Sequence, residues 1–91
     1  MSMATRTVNI GSTVGLHARP AAKFTQAAAA APVAVQIAVG GSAPVDAGSM
    51  LAVMTLGAEF GTEVTITAEG EGSEEALDRL ADLLASDLDA A

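Results

Sequence analysis

Cysteine, tryptophan and tyrosine are absent from this 91-residue chain, and histidine occurs once. Without cysteine there is no disulfide and no thiolate metal centre. One histidine leaves no histidine pair for a zinc site, so no metal and no cofactor is expected. The only aromatic residues are two phenylalanines, so a core must be aliphatic. Basic residues are scarce as well: Arg6, Arg19, Lys23 and Arg79 stand against eleven Asp and Glu, a formal charge of −7. A phosphate backbone repels such a chain, which argues against nucleic acid as a partner. Direct contact with an anionic membrane is disfavoured for the same reason. No apolar run is long enough to span a bilayer. The opening Met1-Ser2-Met3-Ala4-Thr5-Arg6 lacks the apolar stretch of a signal peptide. The expectation is a cytoplasmic protein.

What remains is enough for one domain over residues 1–91. Apolar residues make up 51% of the chain, sufficient for a core. Thr7-Val8-Asn9-Ile10 alternates polar and apolar, the pattern of a half-buried strand. Gly11 to Gly15 reads as a loop. A helix follows, from Ala18 or Pro20 to Ala30, with Phe24 as a core anchor and Pro32 as its stop. Val33 to Val39 places β-branched residues at every second position, a second strand. Gly40-Gly41 signals a hairpin, and Ser42 to Val45 a short strand that Pro44 confines to an edge. Ser49 begins a short helix to Leu56, with Gly57 suited to end it. Glu63 to Ala68 alternates again. Ser73 can cap the last helix, with Glu74 and Glu75 in its first turn and an apolar stripe through Leu77, Leu80, Leu84 and Leu88, widened by Leu83. The order β-α-β-β-α-β-α argues an α+β two-layer sandwich with a mixed or antiparallel sheet. Periodicity alone leaves the strand order open.

Gly15-Leu16-His17-Ala18-Arg19-Pro20 carries the chemistry. A lone histidine near a helix start is more often structural than reactive, but its neighbours here alter the reading. A helix N-terminus leaves backbone N–H groups unpaired and aimed at an incoming anion. Ala18 and Arg19 can offer theirs, while Pro20 has none to lose. A neutral imidazole has a lone pair with which to attack phosphorus. Arg19 adds a guanidinium for phosphoryl oxygens, and Lys23 a second cation close by. A positioned nucleophile and charge stabilisation are what phosphoryl transfer needs. Proline also restricts the residue before it, so Arg19 either caps a helix that starts at Pro20 or is held slightly strained.

This hexapeptide resembles the active-site motif of the HPr family, the histidine-containing phosphocarriers of the phosphoenolpyruvate:sugar phosphotransferase system. Gly48-Ser49-Met50-Leu51-Ala52-Val53-Met54-Thr55-Leu56-Gly57 resembles the family's regulatory-serine region and the short helix after it. The resemblance runs from about Thr5 to Leu88. It implies an open-faced β-sandwich, a four-stranded antiparallel sheet covered on one face by three helices. It implies that His17 takes a phosphoryl group on Nδ1 from phospho-enzyme I and passes it to IIA components of sugar permeases, assisted by Arg19. On that basis the chain is a stoichiometric carrier, not an enzyme, and a monomer. Met50, Leu51 and Met54 match the apolar docking face, although a short amphipathic helix would also bury some of them. Ser49 matches the serine that an HPr kinase phosphorylates in some members, and is equally an ordinary N-cap.

Other readings make different demands. A regulatory paralogue or co-effector would act through Ser49 and the Met50-Leu51-Met54 face and would have no need of His17 and Arg19. A carrier for a nitrogen-related or dihydroxyacetone branch would use the same residues with other acceptors. A small ligand-binding module would present a closed apolar pocket.

Overall fold

The computed structural model describes residues 3–86. In chain order the elements are β1 (Met3–Asn9), α1 (Ala18–Ala30), β2 (Val35–Val39), β3 (Val45–Asp46), α2 (Met50–Met54), β4 (Glu63–Glu69) and α3 (Ser73–Ala85). The strands form one sheet in the order β1-β4-β2-β3, with every pairing antiparallel. The two-layer α+β sandwich expected from the residue pattern is therefore present, with the sheet fully antiparallel. β4 is the central element. Its Ala68 pairs with Ala4 of β1 on one side and Val35 of β2 on the other.

Alternation decides which side of the sheet is dry. Val64, Ile66 and Ala68 of β4 face the helices with Val35 and Ile37 of β2, and all are buried. Thr5 and Thr7 of β1 point the other way and are exposed, as is Gln36 of β2. Phe24 of α1 and Leu77, Leu80 and Leu84 of α3 complete the core. Burying each such side chain is worth roughly 2–3 kcal/mol of apolar transfer. Leu88 and the last turn of the predicted stripe lie outside the described residues.

Several boundaries differ from the sequence pattern, each for a local reason. β1 begins at Met3 rather than Thr7 and ends before Ile10. Arg6 interrupts the apolar alternation but occupies a core-side position at the sheet margin. There its Nε donates to Asp78 Oδ1 at 2.8 Å and its Nη2 to Glu74 Oε1 at 2.7 Å, both on α3. β2 starts at Val35, two residues later than the branched run suggested. β3 is Val45–Asp46 instead of Ser42–Val45, so Pro44 stands just ahead of the strand, where its missing N–H breaks no ladder bond. α2 closes at Met54, with Gly57 at φ +67 turning the chain after it. Ser73 is the first residue of α3 and not its cap. Gly72 holds that place at φ +89, and the buried Ser73 hydroxyl donates back to Gly70 O.

Candidate functional site

His17 is the N-cap of α1. Its backbone is extended, at φ −130 and ψ 164, and its side chain makes no capping hydrogen bond. The residue is half-buried at the head of the helix. Ala21 N–H is the first to point back, to His17 O at 3.4 Å. Pro20 has no N–H. Among the described residues nothing accepts from the N–H groups of Ala18 or Arg19. Two free donors and the positive end of a 13-residue helix therefore face the space beside the imidazole.

The helix begins at Ala18, the earlier of the two expected starts. Arg19 is inside it, and the unusual backbone falls on Ala18, at φ +48. An L-residue in the left-handed region costs about 1–2 kcal/mol. Arg19 itself is exposed and carries no ion pair among the described residues. Lys23 follows one turn later, also exposed.

The loop before His17 is held by main-chain bonds. Gly15 N–H donates to Ser12 O at 3.0 Å, closing a turn, and Leu16 N–H donates to Ala58 O at 2.9 Å. The second bond stacks the His17 loop on residues 57–61, which sequence reasoning had not connected with the site. Gly15 shows how close that approach is. A Cβ placed on it would lie 2.8 Å from Ala58 O and 3.3 Å from Cδ2 of His17, and its φ of +76 suits glycine. Farther along, Gly61 N–H donates to Ile10 O at 2.8 Å, and Asn9 Nδ2 to Gly61 O at 3.0 Å. Ser12 is buried, and its hydroxyl has no hydrogen-bond partner.

α2 packs against α1 and β3. Ser49 is its N-cap, and its Oγ accepts from Ala52 N–H at 3.2 Å. Val53 is the residue of this helix committed to the core. Leu51 is 77% exposed, Met54 41% and Met50 36%, so all three predicted docking residues reach solvent. Thr25 of α1 settles Met50 by a hydroxyl–sulfur contact of 3.7 Å. Two further apolar side chains are exposed on the loops near His17: Val14 at 47% and Phe60 at 63%. Both lie outside any regular element, so no periodicity marked them. Phe60 could have been noticed as an aromatic residue in the run Glu59-Phe60-Gly61-Thr62, where no strand or helix claims it.

A cleft of about 330 Å³ lies at the other end of α1, between Ala27, Ala30 and Pro32 and the start of α3 at Ala76 and Leu80. It contains none of the predicted site residues. Among the described residues no helix is long and apolar enough to cross a membrane.

The same arrangement is found in known proteins. The family model for the PTS HPr component phosphorylation site matches residues 4–86. The phosphocarrier protein HPr of Streptomyces coelicolor is 52% identical over 87 residues, covering 96% of this chain and 94% of that protein. The HPr-like protein Crh of Bacillus subtilis is 40% identical over 79 residues, covering 87% of this chain and 92% of that protein. The crystal structure of an HPr from Bacillus anthracis superposes with a TM-score of 0.86 at 37% identity, over 92% of this chain and 99% of that one. A helix headed by the sole histidine, on a four-stranded antiparallel sheet of this order, places the chain in the HPr family of phosphotransferase-system phosphocarriers.

Proposed function

We propose that His17 is the phosphoryl acceptor of this carrier, taking the group on Nδ1 from phospho-enzyme I and passing it to IIA components of sugar permeases. The observation that carries this reading is the half-buried His17 at the N-cap of α1, its side chain making no capping bond, beside the N–H groups of Ala18 and Arg19, which have no acceptor among the described residues. In the forward step the neutral ring's lone pair forms an N–P bond as the donor's N–P bond breaks. The electron pair returns to the donor nitrogen. The phosphoryl oxygens then meet the Ala18 and Arg19 N–H groups and the Arg19 guanidinium. The second transfer reverses the same changes, so the chain ends as it began and acts as a stoichiometric carrier. A monomer in the cytoplasm fits this role, because both partners must reach one exposed face.

The test is incubation with enzyme I and phosphoenolpyruvate, followed by intact mass and acid treatment. One acid-labile phosphoryl group is expected, and none on a folded His17→Ala variant. Phosphorylation that persists in that variant would sink the assignment.

A regulatory reading has support of its own. Ser49 caps α2 beside Met50, Leu51 and Met54, and one relative at 40% identity is the HPr-like protein Crh. Phosphorylation of Ser49 by an HPr kinase would place an anion at the edge of the apolar face and change which partners bind there. The two roles are compatible in one chain. A pull-down with and without phosphate on Ser49 distinguishes them, since only the regulatory role predicts a partner retained by the phosphorylated form alone.

A further inference from the structure

Met50 and Met54 stand one helical turn apart on α2, so the same side of that short helix carries both. Solvent reaches each to a similar extent, 36% and 41%. Exposure alone would let an oxidant attack the two thioethers at similar rates. Thr25 of α1 separates them. Its hydroxyl lies 3.7 Å from Met50 Sδ, to which it can donate, and 3.2 Å from Ala22 O. Thr25 is buried, so bulk water does not compete for that hydroxyl. A thioether is a weak acceptor, and a hydrogen bond to it draws on the lone-pair density that an electrophilic oxygen needs. The side of Met50 that faces Thr25 is also closed to a reagent. Among the described residues Met54 Sδ accepts no hydrogen bond.

We propose that Met54 is a reversible oxidation site, at which a hydroperoxide turns the apolar face of α2 polar while Thr25 holds Met50 back. The inference rests on the docking role proposed for Met50, Leu51 and Met54. In the forward step a lone pair of Met54 Sδ attacks the terminal peroxide oxygen. The S–O bond forms as the O–O bond breaks. The proton of that oxygen passes to the departing oxygen, which leaves as water or an alcohol. Sulfur is oxidised by two electrons and the peroxide is reduced by two. A sulfoxide reductase reverses the change, drawing its electrons from a pair of thiols that become a disulfide and releasing the oxygen as water. The fold is spared, because Val53 is the residue of α2 committed to the core. The surface is not spared. A sulfoxide beside Leu51, which is 77% exposed, is a strong acceptor that a docking partner must strip of water. Flux through the carrier then falls under oxidant while His17 itself is untouched.

The test treats the full chain with limiting hydrogen peroxide and follows each methionine by peptide mass. Met54 should gain oxygen severalfold faster than Met50. In Thr25→Val, which lacks the hydroxyl, the two rates should become similar. Carrier oxidised at Met54 is then assayed with phospho-enzyme I as donor and an isolated IIA domain as acceptor. KM should rise roughly fivefold in both steps with kcat retained, as for loss of an interface contact, and sulfoxide reductase should restore it. Met3 is 62% exposed and will oxidise too. Met54→Leu therefore serves as the control: compared with itself before treatment, it should keep its KM. Thermal melts before and after oxidation should coincide. Equal oxidation of Met50 and Met54 in the parent overturns the inference, and so does an unchanged KM once Met54 is a sulfoxide. Failure of the docking role is seen separately, as a Leu51→Ala variant that transfers with parental KM before any oxidant is added. Failure of the carrier role is seen earlier still, as a parent chain that accepts no phosphoryl group.

Discussion

A Cβ on Gly15 would lie 2.9 Å from the Cα of Glu59, a separation that only the absence of a side chain permits. Main chain passes over main chain at this point, and the imidazole of His17 is seated against the crossing. Gly15→Ala should force residues 58–59 away, and it adds a side chain at a φ of +76. A loss of about 2–4 kcal/mol is expected. Urea denaturation gives the stability, and phosphoryl transfer at saturating donor gives the displacement of the ring. A variant with parental stability would show that the loops separate freely.

Ser12 makes the opposite case. Its hydroxyl is buried without a partner, so the folded state bears the cost of drying it. Ser12→Ala removes that cost and keeps the size of the side chain close. Stability is expected to rise by up to ~1 kcal/mol, with no change in phosphoryl transfer. A denaturant midpoint that falls would mean that the hydroxyl is satisfied in solution.

Ser49 has a cap function independent of any phosphate. Ser49→Ala removes the acceptor for Ala52 N–H and should cost about 1 kcal/mol, recoverable in large part by Ser49→Asp. Thermal unfolding of the three proteins checks the order. Ser49→Asp should also lower transfer from the donor if charge at this edge disturbs docking, whereas Ser49→Ala should not. Parental melting of Ser49→Ala would remove Ser49 as a structural cap.

How much was legible beforehand depends on the kind of signal. The alternations at 63–69 and 35–39, the alanine-rich helix with Phe24 inside it, and the leucine stripe of α3 all announce themselves, because burial on one face repeats with the period of the element. His17 and Arg19 were legible as candidates, since a sole histidine before a proline-led helix is a local pattern. The tie between Gly15 and Ala58–Glu59 was not. It joins residues more than forty positions apart through main-chain atoms, which carry no side-chain code. The positive φ of Ala18 was hidden similarly: the rule for residues before proline pointed to Arg19, and the loop closure moved the strain one residue back. Arg6 lay ahead of the strand expected from Thr7, and its core-side place in β1 is matched by Glu74 and Asp78 of α3. Those acids raise the Arg6 pKa above its usual value, Glu74 first. That contribution is complete below the unfolded-state value and is lost only above it, so it adds no pH dependence near neutrality.

The sheet order also governs when a site can exist during synthesis. Among the described residues β1 finds its only strand partner in β4, with Met3 opposite Glu69 and Asn9 opposite Glu63. The His17 loop hangs from the end of β1 and leans on residues 58–61, immediately ahead of β4. A ribosome that has released only the first half of the chain has delivered the histidine but none of the structure that seats it. Helix α1 can form early from local contacts, whereas the sheet must await its sixth element. Phosphoryl acceptance should therefore switch on late in translation and in one step, so that no nascent fragment competes with finished carrier for the donor.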